Sequence, residues 1–133
     1  MTTKDGGHRN TITMECTVCT VTYPDTCTFI CAYRYHRTPH ADFLADLNQV
    51  IHDIKAKKLV VAGDMNLNMR NETVKHNIKT KILSPNKLTQ IETGPTTKTG
   101  SIIDHIYTNV DGITANVIPT YYSDHDLIVM NVI

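Results

Sequence analysis

Apolar and polar positions run along this chain in blocks, and the period changes from block to block. In residues 11–21, and again in 28–33, β-branched and aromatic residues dominate, which predicts two strands joined by a turn at Pro24-Asp25. After Thr38 the period becomes helical. Phe43, Leu47, Val50, Ile51 and Ile54 share one face, with Asp42, Asp46 and Asp53 off it. Thr38 is the expected cap, with Pro39 at the first helical position, and Lys55, Lys57 and Lys58 close the helix where cations suit its dipole. Leu59-Val60-Val61-Ala62 is wholly apolar, the pattern of a strand buried on both faces. Residues 71–83 predict a second helix stopped by Ser84-Pro85-Asn86. A short strand is expected at 88–91, a loop at 94–100, and strands at 102–107, 113–118 and 127–133. Helix followed by a buried strand with an acidic end predicts an α/β (α+β) domain whose ligand site lies at strand C-termini.

The first residues change the domain picture. Residues 1–10 are polar and contain Gly6-Gly7, so they read as a disordered leader before one domain at 11–133. No repeat or linker divides the rest. Lys plus Arg number 13 and Asp plus Glu number 13, for a formal charge of zero. That argues against holding nucleic acid through a broad basic face, because such affinity grows with the number of phosphates neutralised, yet it leaves room for a local, metal-centred site. No apolar run approaches the roughly 18–20 residues of a membrane span, and the start carries no secretory core. The expected location is intracellular, nuclear or cytoplasmic, with no membrane partner.

Cys16, Cys19, Cys27 and Cys31 have a spacing that invites zinc. All four fall in strand-like runs, where Cys16 and Cys19 point to opposite faces, so reduced thiols are the better reading.

The chemistry concentrates in three ordered motifs: Gly63-Asp64-Met65-Asn66, Ile103-Asp104-His105-Ile106 and Ser123-Asp124-His125. In extended chain Asp64 and Asn66 leave the same face, a carboxylate beside an amide that suits a water and a phosphoryl oxygen; a surface turn explains that composition equally well. Asp104 sits among isoleucines and must be paired or hydrogen-bonded. His125 is the expected partner, because a carboxylate on one imidazole nitrogen fixes the tautomer and frees the other nitrogen for substrate. The competing view has Asp104 capping a loop beside His105, which in a strand faces the other way. Ser123, His125 and Asp104 also spell a serine-hydrolase set, but no Gly-x-Ser-x-Gly elbow is present and Ser123 is too near the His it needs. The histidines at 8, 36, 40, 52 and 76 read as surface residues.

These motifs resemble the GDxN, IDxI and SDH signatures of the endonuclease/exonuclease/phosphatase superfamily, whose members include DNase I-like nucleases, abasic-site endonucleases, sphingomyelinases, inositol phosphatases and LINE-type retrotransposon endonucleases. Cys31-Ala32-Tyr33-Arg34 resembles the family's strand end bearing a phosphate-contacting Tyr. Leu88-Thr89-Gln90-Ile91, Ile103 to Asn109 and Ser123 to Ile128 look most like the retrotransposon branch. The resemblance implies a four-layer α/β sandwich of the DNase I-like type, here without its N-terminal portion. It implies Mg²⁺ or Mn²⁺ as cofactor, DNA as phosphodiester substrate, and catalytic roles for Asp64, Asn66, Asp104 and His125. It also implies phosphate contacts from Tyr33, Asn66 and His125, and metal contacts from Asp124 and Asp64. The family's upstream Asn and metal-binding Glu have no counterpart before Thr11, and His36 stands where many members have Asn. An upstream segment or partner would complete the fold. Three outcomes stand: a metal-dependent endonuclease, a non-catalytic remnant or binding module, and a phosphatase or lipid phosphodiesterase.

Overall fold

A computed structural model describes residues 3–22 and 25–132. Among the described residues, eight strands and three α-helices follow in chain order. Strands β1 (Thr3–Asn10), β2 (Met14–Val21) and β3 (Cys27–Arg34) precede α1 (His40–Ile54) and β4 (Leu59–Asp64). Then come α2 (Glu72–Ile78), α3 (Ser84–Asn86), β5 (Thr89–Gln90), β6 (Asp104–Thr108), β7 (Thr114–Ile118) and β8 (Leu127–Asn131). One six-stranded sheet has the order β1-β2-β3-β4-β6-β5, and β7-β8 form a second, two-stranded sheet. The mixed α/β class expected from the sequence is what the chain adopts.

Period-two alternation gives the large sheet two faces. Met14, Cys16 and Val18 of β2, Ile30 and Ala32 of β3, and Leu59 and Val61 of β4 join Phe43, Leu44, Leu47, Val50 and Ile51 of α1 in the main core. On the opposite face, Val60, Ile106, Phe29 and Ala62 pack with Ala115, Ile128 and Met130 of the small sheet. Strand β4 is thus covered on both sides, as its unbroken apolar run requires. Cys16 is buried on the helix side while Cys19 is only half-buried on the other; all four cysteines are free thiols. Among the described residues, no helix is long and apolar enough to cross a membrane.

Four expectations need correction. The stretch read as a disordered leader is an edge strand: Thr3–Asn10 pairs antiparallel with β2, with a bulge between Asp5 and Gly7. Main-chain hydrogen bonding to a long neighbour recruits a polar segment that side-chain pattern alone does not mark. Thr38 does not cap α1; Pro39 occupies the cap position, and the Thr38 hydroxyl donates to the Tyr35 carbonyl at 3.0 Å. Helicity also continues past residue 83. After α2, capped by Asn71 Oδ1 accepting from Thr73 and Val74 N–H, the chain makes a π-helical turn at Lys79–Leu83, and α3 carries it to Asn86 before Lys87 turns left-handed. Pro85 sits in the first turn of α3, where its missing N–H is harmless. The fourth correction concerns Asn66 and belongs to the site. The turn expected at Pro24-Asp25 lies partly outside the described residues, although the strands it would join pair antiparallel in register.

His105 lies on the helix side of β6 and is fully buried, bridging Tyr107 Oη at 2.6 Å and the carbonyls of Leu67 and Ile102 at 2.8 and 3.1 Å. Burial pushes its pKa below the ordinary imidazole value. The folded chain therefore holds it neutral, and the unfolded chain takes up a proton below pH ~6.5. Stability from this residue is complete above that pH and declines as pH falls toward the folded-state pKa, by up to about 1.4 kcal/mol per pH unit. Urea unfolding at stepped pH should show this slope in the parent and lose it in His105→Gln. An unchanged slope in the variant would remove His105 as its source.

Candidate active site

The sheet delivers three polar side chains to one place because of its register. Asp64, the last residue of β4, is opposite Asp104 at the start of β6 and level with Tyr33 on β3. The loop before β8 then lays His125 over the pair. His125 Nδ1 is 2.8 Å from Asp104 Oδ2, and Nε2 is 3.5 Å from Asp64 Oδ2. His105 faces away, so the view that it partners Asp104 is set aside. The histidines at 8, 36, 40, 52 and 76 are exposed, as expected.

Each group is held by neighbours. Gly63, at φ +148°, brings the end of β4 against Ala32 of β3. Met65 N–H donates to the Ile103 carbonyl at 2.9 Å. The buried Thr96 hydroxyl accepts from the N–H groups of Ile103 and Asp104, both at 3.3 Å, fixing the start of β6. The His125 loop is tied down independently. Its backbone bridges to Thr97, its carbonyl accepts from Thr120 Oγ1 at 2.8 Å, and its N–H donates to Ser123 Oγ at 3.2 Å. Lys98 Nζ joins the Asp126 carboxylate and the Thr120 carbonyl.

Asn66 departs from the expected geometry. Strand β4 ends at Asp64 and Asn66 turns left-handed at φ +49°, so the two side chains do not leave one face of an extended chain. Its N–H donates to Asp64 Oδ1 at 3.0 Å, while its side-chain Nδ2 donates to the Arg34 carbonyl at 2.7 Å. Asn66 thus orients Asp64. Arg34, which the sequence reading quoted but gave no role, returns the contact: Nη1 donates to the Asn66 carbonyl at 2.7 Å and Nη2 to that of Thr38, leaving Nε buried without a partner. Only its place at the end of a strand, alternating with Tyr33, could have signalled that it points inward. Tyr33 is exposed on the Asp64 side, its ring edge-on to Tyr35. Asp124 is exposed and stands outside the group formed by Asp64, Asp104 and His125.

The electrostatics follow from these contacts. The hydrogen bond that Nδ1–H donates to Asp104 raises the His125 pKa, and the charges of Asp104, Asp64 and Asp124 add to it against partial burial. Burial pushes the Asp64 carboxyl up and Asp104 adds to this, opposed by the Asn66 N–H, His125 and Arg34. Because the His125 pKa is raised, its contribution to stability is complete below pH ~6.5 and is lost as pH rises through the folded-state value, the reverse of His105.

The ligand atoms of Asp64, Asp104 and His125 all lie within 4.8 Å of one another. Two of the three groups offer carboxyl oxygens, the donors that hard divalent cations take. The group therefore fits a metal ion, with oxygens of Asp64 and Asp104 as the holders and water or substrate completing the shell.

A half-open α/β sandwich with an Asp-His-Asp cluster at its strand ends defines a recognisable class. Its sequence matches the endonuclease/exonuclease/phosphatase family profile over residues 4–125, and the chain belongs to that DNase I-like family. Among solved structures it is similar to the endonuclease domain of TRAS1, a telomere-specific non-LTR retrotransposon, at 21% identity and TM-score 0.76, over 90% of this chain and 61% of that one. It also matches the human Nocturnin catalytic domain with bound sulfate (15% identity, TM-score 0.59, 97% and 60% covered). A family protein from Bacteroides thetaiotaomicron matches at 11% identity and TM-score 0.61, covering 95% and 62%. The chain thus spans less than two thirds of each of these structures. Comparison with curated proteins finds no match.

Proposed function

We propose that the chain is a divalent-metal-dependent phosphodiester hydrolase acting on DNA as an endonuclease. The observation that carries this is His125 suspended between Asp104 and Asp64 at the open ends of β4 and β6. In this reading Asp104 accepts a hydrogen bond from Nδ1–H and holds the imidazolium, leaving Nε2–H to donate to a phosphoryl oxygen as negative charge builds there. Asp64, oriented by the Asn66 N–H and with its basicity raised by burial, takes a proton from the attacking water. As the water oxygen bonds to phosphorus, the bond to the leaving oxygen breaks. Tyr33, level with Asp64, is placed to meet the phosphate, and Asp124 lies at the rim. Mg²⁺ or Mn²⁺ held by Asp64 and Asp104 would offset charge on the phosphoryl oxygens.

Completion of the fold by an upstream segment or a partner belongs to the same reading, supported by the uncovered face of β3, where Cys31 and Tyr33 are exposed. A nuclear or cytoplasmic location accompanies a DNA substrate.

The expected result with supercoiled plasmid is nicking by the purified chain in Mg²⁺ or Mn²⁺ and none in chelator. A folded chain that nicks nothing in either metal would favour a non-catalytic binding module. Turnover of phosphomonoesters or lipid diesters in place of DNA would move the substrate assignment elsewhere.

A further inference from the structure

The loop that carries His125 also carries two aromatic side chains that the fold does not use. Tyr121 is 100% exposed and Tyr122 84%. Neither shares a ring contact or hydrogen bond with another described residue. Exposed single apolar groups are common, but adjacent aromatics held clear of the body are not explained by packing. The loop is anchored behind them. Thr120 is buried, its N–H donating to Asp126 Oδ1 at 3.2 Å and its hydroxyl to the His125 carbonyl at 2.8 Å. The Lys98 ammonium clamps Asp126 and the Thr120 carbonyl together. The tyrosines therefore project from a braced base.

Their place along the chain ties them to the site. At about 3.8 Å per residue, the Cα of Tyr122 is within roughly 11 Å of that of His125. A nucleic-acid strand rises about 3.4 Å per nucleotide, so a strand with a phosphate at His125 would bring its neighbouring bases past these rings. Charge argues the same way. With formal charge zero, the chain has little to gain from neutralising many phosphates, and affinity must come from elsewhere. Stacking of a base on an aromatic ring supplies roughly 1–3 kcal/mol per base without regard to sequence.

We propose that Tyr121 and Tyr122 form a stacking platform for unpaired nucleobases flanking the phosphate at His125, so that the chain engages single-stranded or locally opened nucleic acid. This rests on the phosphodiesterase reading above and narrows its substrate. Paired bases inside an intact duplex keep their faces covered by their neighbours, so only unstacked bases offer a face to the rings.

The test is binding of fluorescently labelled oligothymidylate, followed by anisotropy in chelator to prevent cleavage, beside an abasic oligomer of equal length. The parent should bind thymidylate more tightly than the abasic chain. Tyr121→Ala and Tyr122→Ala should each weaken thymidylate binding by about 5- to 160-fold, the range set by one stacked base. Tyr121→Phe and Tyr122→Phe, which keep the ring, should remain within about threefold of the parent. Substitution at such exposed positions should leave melting unchanged. Alanine variants binding as the parent does, equal binding of thymidylate and abasic oligomers, or no binding at all would each overturn the platform. So would concentration-dependent self-association lost in the alanine variants with oligonucleotide binding intact, which would make the pair a protein contact. Plasmid nicking separates the two readings. A parent that nicks while its alanine variants bind normally retains the catalytic reading and loses the platform. Tyrosine-dependent binding by a chain that nicks nothing does the opposite.

Discussion

On the proposed function, His125→Ala should lower the rate of diester hydrolysis by about 10²- to 10⁴-fold, the usual worth of a positioned proton donor, and Asp104→Asn should fall in the same range. The second half of that expectation is the more informative. Asp104 accepts from His125 Nδ1 over a 2.8 Å contact, in addition to its carboxyl's place as a candidate metal holder, and neither role needs it to meet the substrate. An amide at that position carries no negative charge, so it cannot hold the imidazolium as the carboxylate does, and His125 gives up its proton more readily. The double variant should then be no slower than the slower single one, because removing a unit twice removes nothing more. Multiplying effects, or a His125→Ala enzyme within tenfold of the parent, would show that the pair does not act as a unit. The pH profile gives a second readout. Hydrogen bonding to Asp104 raises the His125 pKa, so the alkaline limb of the parent should lie above pH ~6.5. In Asp104→Asn that limb should move down. Burial raises the Asp64 carboxyl, which moves the acid limb upward from the ordinary aspartate value.

The pairing that drives this expectation was readable before any coordinates, because a carboxylate flanked by Ile102, Ile103 and Ile106 needs a partner and strand alternation turns His105 away. The helix face of α1 and the doubly buried β4 were readable for the same reason: apolar periodicity records burial directly. What the sequence hid is set by the main chain and by long-range contacts. Strand β1 has a polar, Gly-containing composition and owes its form to hydrogen bonding with β2. Asn66 looked like a substrate ligand from its spacing to Asp64, but spacing predicts a face only where the chain is extended, and it turns at Asn66. The clasp between Arg34 and Asn66 joins residues 32 positions apart, beyond the reach of any local pattern. Tyr121 and Tyr122 gave no periodic signal, and only their exposure sets them apart.

Gly63→Ala should destabilise the fold severely, at a cost of at least about 4 kcal/mol, a large share of the roughly 7–20 kcal/mol that a chain of 133 residues has. A glycine before a carboxylate at a strand end can serve a tight backbone turn or the close approach of a ligand. The closest approach is that of the neighbouring strand. A Cβ at residue 63 would lie 1.8 Å from the Ala32 carbonyl oxygen and 2.8 Å from its carbon, with φ at +148° adding strain of its own. Both atoms are backbone in a parallel ladder, so relief requires β3 and β4 to part, and Asp64 loses its register with Tyr33 and Asp104. Gly112→Ala separates the clash from the conformational effect. Its φ is +79°, and a Cβ there meets nothing within 4 Å, so it should cost only about 1–2 kcal/mol. Thermal melts of the two variants decide the matter. If Gly63→Ala melts no lower than Gly112→Ala, the strands have room to yield and the glycine is required by something other than β3. If it fails to fold while Gly112→Ala stays cooperative, the first residue of the catalytic motif is dictated by sheet packing, and the chemistry of Asp64 depends on it for position alone.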